Sequence, residues 1–91
     1  MSRTVLVTGS SRGIGRAIAK AFAKQGDRVV INYIEQKAAA EQVKEEIIRE
    51  GGRAMVVQCD VSDEQQVKQM IATIEQEFSP VEVLVNNAGI A

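Results

Sequence analysis

The residues with the most evident chemistry are Thr8-Gly9-Ser10-Ser11-Arg12-Gly13-Ile14-Gly15, a glycine-rich turn between an apolar β-branched run and a helical pattern. A turn there opens onto a helix start. The first N–H groups of a helix have no intrahelical acceptor, and the aligned peptide dipoles place about half a positive charge at that end. A phosphate fits such an end, and glycines let the backbone turn tightly and approach the anion without a Cβ in the way. The spacing is G-x-x-x-G-x-G. It is not a nucleotide-triphosphate P-loop, because five residues separate Gly9 from Gly15 and Arg16-Ala17 stands where Lys-Ser/Thr is required. A glycine-rich turn that only reverses the chain is the plain alternative.

The composition narrows the remaining chemistry. The 91 residues hold 11 Lys and Arg against 12 Asp and Glu, a net charge of −1, so anion binding has to be local rather than a broad basic surface. Nucleic acid and anionic membrane are not expected partners. With one cysteine, Cys59, and no histidine, an internal disulfide, a Cys/His metal site and a histidine triad are all excluded. Cys59 reads as a small buried apolar residue. No secretory signal or spanning segment is visible, so the expected location is cytoplasmic.

The elements that must position the loop follow from periodicity. Strands are predicted at Thr4–Thr8, Arg28–Asn32, Arg53–Gln58 and Val81–Val85. A first helix begins near Ile14, with Ile14, Ala17, Ile18, Ala21 and Phe22 as its apolar face and Gly26 as its stop. A second runs from about Gln36 to Glu50 with Ala39, Ala40, Val43 and Ile47 inward. The cluster Lys44-Glu45-Glu46, with Glu41 and Arg49, reads as a solvated face. A third helix is capped by Ser62 with Gln65 three residues on, buries Val67, Met70, Ile71, Ile74 and Phe78, and ends at Ser79-Pro80. Strands apolar on both faces belong to a covered parallel sheet. The predicted fold is α/β: a Rossmann-type open parallel sheet of order 3-2-1-4, with the first two helices on one face and the third on the other.

Beyond the loop, Cys59-Asp60-Val61 follows the third strand and Asn86-Asn87-Ala88-Gly89 follows the fourth. Three motifs, each at a strand's carboxyl end, make the chain resemble the short-chain dehydrogenase/reductase family over all 91 residues. Its wording is most similar to that of the 3-oxoacyl-[acyl-carrier-protein] reductase branch. The resemblance implies that residues 1–91 form the N-terminal dinucleotide-binding portion of a Rossmann domain, truncated after the fourth strand. It also implies an oxidoreductase parent of the fatty acid biosynthesis type, in which NADPH reduces the carbonyl of a 3-oxoacyl thioester.

Residue by residue, the resemblance places Gly9, Ser10, Ser11, Arg12, Gly13, Ile14 and Gly15 around the cofactor. Asp60 would accept from the adenine amino group and Val61 would close over the ring, although an Asp ahead of a helix also reads as a cap or turn. Asn87, Ala88 and Gly89 would border the cofactor's middle and its nicotinamide ribose, with a structural role for Asn87 equally open and Asn86 read as structural. An acidic residue at the end of the second strand would select NAD; Asn32 and Tyr33 stand there instead. Neither repels a 2′-phosphate, and Arg12 can grip one with a charge-assisted fork. NADP is therefore expected over NAD, with Glu35 counting against this if the strand runs on.

The family's catalytic serine, tyrosine and lysine come from a fifth strand and its helix, in a Tyr-x-x-x-Lys arrangement. Tyr33 and Lys37 fit that spacing but sit at the adenosine end, so no catalytic residue is assigned and no turnover is expected from this chain alone. The fourth strand should then be an unpaired edge beside exposed apolar surface. Self-association, pairing with a complementary chain or partial disorder near Val81–Ala91 is expected. Two other functions remain open: a non-catalytic folding or assembly fragment, and another doubly wound nucleotide binder such as a methyltransferase-like domain. The gap between Gly9 and Gly13 argues against the latter.

Overall fold

Strands and helices alternate from the first residues onward. The structure, a computed structural model, describes residues 2–87. The elements are β1 (Thr4–Val7), α1 (Gly13–Lys24), β2 (Arg28–Tyr33), α2 (Lys37–Arg49), β3 (Arg53–Gln58), α3 (Glu64–Glu77) and β4 (Val83–Val85). The four strands form one parallel sheet in the order β3-β2-β1-β4. Val5 of β1 lies between Val29 of β2 and Val83 of β4.

Alternation along the strands divides the core into two layers. Val5, Val7, Val29, Ile31 and Tyr33 pack under α1 and α2 against Ala19, Ala23, Ala40, Val43 and Ile47. Leu6, Val30, Met55 and Cys59 pack on the other face against Met70 and Ile74 of α3. The central strands are therefore buried on both sides, which is why they read as continuous apolar runs. β4 closes the described sheet on one side, and Leu84 in its middle is 62% exposed.

Three local expectations are corrected. The inward face of α1 is not Ile14, Ala17 and Ala21, which are exposed, but Gly15, Ala19 and Ala23, with Ile18 and Phe22 half-buried beside them. Small residues at i, i+4 and i+8 let the helix press close to the sheet, a reason that outweighs side-chain hydrophobicity here. The cap of α3 is Asp63, whose carboxylate accepts from the backbone N–H groups of Gln65 and Gln66 while the Gln66 amide donates back to it. Ser62 instead donates through its N–H and hydroxyl to Asp60. Finally, β2 extends one residue further, through Tyr33, while β4 begins at Val83, two residues later than expected.

At the opposite end of the sheet from the glycine-rich turn, Arg3 forks onto Asp27, Nε donating at 3.1 Å and Nη2 at 3.0 Å. This pair ties the entry to β1 to the turn between α1 and β2. No helix of the described residues is long and apolar enough to cross a membrane.

Candidate functional site

β1 and β4 are neighbours in the sheet, yet α1 leaves β1 on one face and α3 reaches β4 from the other. Such a reversal opens a crevice beyond the carboxyl ends of the strands, where ligands of open α/β sheets bind. The glycine-rich turn and Asn87 both lie at this end.

Gly9 turns with φ of 61°, a left-handed conformation suited to glycine. Its backbone is held from both sides by asparagines, Asn32 within β2 and Asn87 just past β4. Its N–H donates to Asn32 Oδ1 at 3.0 Å, and its carbonyl accepts from Asn87 Nδ2 at 3.0 Å. Ser10 is fully buried, its hydroxyl donating to the Val7 carbonyl at 2.7 Å and accepting from the Asn32 N–H. The Asn87 N–H donates to the Thr8 hydroxyl at 2.9 Å. A Cβ on Gly15 would overlap the Gly9 carbonyl oxygen and lie 2.9 Å from Ser10 Cα, so only glycine lets α1 begin this close to the turn.

The start of α1 is built to leave its donors available. Its N-cap is Arg12, extended at φ −158° and ψ 172°, with no capping side-chain hydrogen bond, and its first turn has no acidic residue. Helices usually begin with Ser, Thr, Asp or Asn at this place. Arg12, Gly13 and Ile14 are exposed there, Ile14 by 68%, while Ser11 is buried. A bare helix start next to an exposed guanidinium can receive an anion, by dipole, by N–H donation and by charge.

The other motif residues divide. Asp60 accepts both Ser62 donors on one oxygen, Oδ1, and this hydrogen bonding holds its carboxyl below the usual range. Its own N–H is held by Gln66 Oε1 at 2.9 Å. Val61 is half-buried against the α3-side core. Asn32 departs from the place given it by the sequence. It is 1% exposed, and its amide is turned inward, Oδ1 onto Gly9 and Nδ2 donating to the Cys59 carbonyl at 3.1 Å. Asn86 is exposed and its Oδ1 accepts from the Thr8 hydroxyl. Ala88 and Gly89 lie outside the described residues. Tyr33 is buried in the α1/α2 layer while Lys37 is exposed at the start of α2.

Two contacts at and beside the site are not readable from the sequence. Thr8 reads as a strand end and the opening residue of the turn, and nothing in its type signals that its hydroxyl accepts from the Asn87 N–H. Glu46 reads as part of a solvated face. It accepts from Arg16 Nη2 at 2.7 and 2.8 Å and from Lys20 Nζ at 3.1 Å, which ties the first turns of α1 to α2 and holds its carboxyl low. The i, i+4 spacing of Arg16 and Lys20 places both on one face of α1, but their acceptor on another helix is set by packing. Cys59 is fully buried and its thiol is pushed up, chiefly by that burial. Among the described residues no group of three or more Cys, Asp or Glu could hold a metal ion.

Fold and crevice together define a doubly wound α/β sheet of the Rossmann kind. The family model of the short chain dehydrogenases matches residues 3–91. A 3-oxoacyl-[acyl-carrier-protein] reductase of Synechocystis sp. is 49% identical over 89 residues, which are 98% of this chain and 36% of that protein. The crystal structure of a dehydrogenase/reductase from Sinorhizobium meliloti 1021 superposes with a TM-score of 0.91 at 38% identity, covering 94% of this chain and 34% of that one. A metagenomic short-chain oxidoreductase in complex with NADP gives 0.87 at 35% identity, covering 94% and 38%. The chain belongs to the short chain dehydrogenase family. It spans about a third of the length of the curated relatives it matches, 36% for the Synechocystis protein.

Proposed function

We propose that this chain is the NADP-binding part of a short-chain reductase, with the cofactor's diphosphate resting on the start of α1. The observation that carries the reading is the uncapped, glycine-bounded start of α1, with Arg12 at its N-cap and no acid in its first turn. A diphosphate supplies the missing acceptors and anionic partner. Arg12 holds the 2′-phosphate, Asp60 accepts from the adenine amino group, Val61 covers the ring, and Asn87, Ala88 and Gly89 border the nicotinamide ribose. The NADP complex of a family member at a TM-score of 0.87 supports this cofactor class.

When bound, the reduced nicotinamide supplies a hydride to a carbonyl. By similarity to the Synechocystis protein and its like, the carbonyl is that of a 3-oxoacyl thioester. The residues of this chain bind and orient the cofactor; they supply no acid for the carbonyl oxygen. The one tyrosine, Tyr33, is buried in β2 among core residues. Among the described residues the outer edge of β4 carries no neighbouring strand, and a further β-strand is the partner proposed to cover it beside the exposed Leu84.

Isothermal titration of the chain with NADPH, NADH and S-adenosylmethionine tests the reading. NADPH is expected to bind more tightly than NADH, and S-adenosylmethionine not at all. Binding of none of the three favours a purely structural fragment, and binding of S-adenosylmethionine alone overturns the family's cofactor for this chain.

A further inference from the structure

We infer that Asn32 is a positioning residue that mechanically couples the adenine end of the site to the diphosphate loop. The inference rests on the cofactor placement proposed above, and deepens it. One fully buried carboxamide spans the two regions. Its Oδ1 receives the N–H of Gly9, and its Nδ2 donates to the carbonyl of Cys59. That carbonyl belongs to the same peptide unit as the N–H of Asp60, which is held in turn by Gln66 Oε1 at 2.9 Å. The peptide carrying Asp60 is thus clamped on its oxygen by Asn32 and on its nitrogen by α3.

The loop side is clamped as closely. The Ser10 N–H donates to the Asn32 carbonyl at 3.0 Å and the Asn32 N–H to the Ser10 hydroxyl at 3.1 Å. A shift of the Cys59–Asp60 peptide therefore moves the Asn32 amide, and with it the N–H of Gly9. The chemistry requires a carboxamide. A carboxylate at this position has no donor for the Cys59 carbonyl and would be a buried anion facing an oxygen. With its amide buried and both ends engaged inside the fold, Asn32 acts by holding the loop and not by touching the ribose.

The test uses amide NMR of the whole chain with 9-methyladenine, a probe that carries neither ribose nor phosphate. In the unaltered chain, the Asp60 and Val61 amides are expected to shift on titration, and those of Gly9, Ser10 and the Asn32 side chain to shift in proportion. In Asn32→Asp the Asp60 response persists and the Gly9 response is lost. NADPH and NADH both weaken by about tenfold, their ratio unchanged, the order expected for one buried hydrogen bond left unmade. If Asp60 responds but Gly9 and the Asn32 side chain stay silent, the coupling is refuted while the cofactor placement stands. If Asp60 itself stays silent at saturating probe, the adenine placement fails and the coupling with it. A shift of the NADPH-to-NADH ratio toward NADH in Asn32→Asp would also overturn the inference, because it would put the residue on the ribose. The side-chain resonances of Asn32 decide the matter in the unaltered chain even if the variant does not fold.

Discussion

A Cβ placed on Gly15 would lie 2.6 Å from Nδ2 of Asn87, the same atom that donates to the Gly9 carbonyl. The first turn of α1, the glycine-rich turn and the end of β4 therefore meet with no room for a methyl group. Gly15→Ala is expected to destabilise the chain by about 1–3 kcal/mol, as overpacking of a tight contact does. It should also weaken dinucleotide binding by displacing Asn87 from Gly9. Denaturant midpoints and a parallel NADPH titration check both effects; an unchanged midpoint would show that the helix can move aside.

Arg12 is the exposed cation at the N-cap of α1. If it grips the 2′-phosphate of NADP, Arg12→Ala should weaken NADPH by about ten- to a hundredfold, the range for charged hydrogen bonds, and NADH far less. Equal losses for the two cofactors would place Arg12 on their shared diphosphate instead.

The cap of α3 gives a prediction that separates two adjacent residues. Asp63 holds the Gln65 and Gln66 N–H groups, whereas Ser62 holds only Asp60. Asp63→Ala is expected to cost about 1 kcal/mol in stability. Ser62→Ala should cost less, and should let the Asp60 carboxyl rise toward its ordinary pKa. Thermal or denaturant unfolding ranks the two, and carbon-detected titration follows Asp60.

Acid should unfold the chain partly through Asp27. The Arg3 hydrogen bonds hold its carboxyl below the ordinary range, and those of Arg16 and Lys20 do the same for Glu46. For a group depressed in the folded state, the stabilisation is fully present above the unfolded pKa, about 3.9 for Asp. It is lost as pH falls through the lower folded value. Asp27→Asn is expected to lower stability at pH 7 and to flatten the loss of stability below pH about 4. Denaturant midpoints of both chains, measured from neutral to acid pH, check the sign; parallel curves would contradict it.

The strand order was legible because it follows from few signals: four β-branched runs, three periodic stretches and the handedness of their crossovers. The glycine-rich turn was legible for a similar reason, since glycine and its spacing report backbone needs directly. Side-chain direction was less so. Hydrophobicity alone chose Ile14, Ala17 and Ala21 as the inner face of α1, but the sheet selects the small residues Gly15, Ala19 and Ala23 for close approach. Asn32 shows the same limit. The sequence ends β2 at Asn32, one residue short of Tyr33, and the needs of Gly9 and Cys59, which it does not reveal, turn the Asn32 amide inward. Ser62 and Asp63 are both good caps, and only the backbone path separates them.

The most direct measurement is a crystal structure of the chain grown with NADPH. The diphosphate oxygens should accept hydrogen bonds from the N–H groups that open α1, around Gly13 and Ile14, with the guanidinium of Arg12 on the 2′-phosphate. Cofactor bound with its diphosphate away from residues 9–15, or a saturated crystal with that helix start bare, would contradict the account.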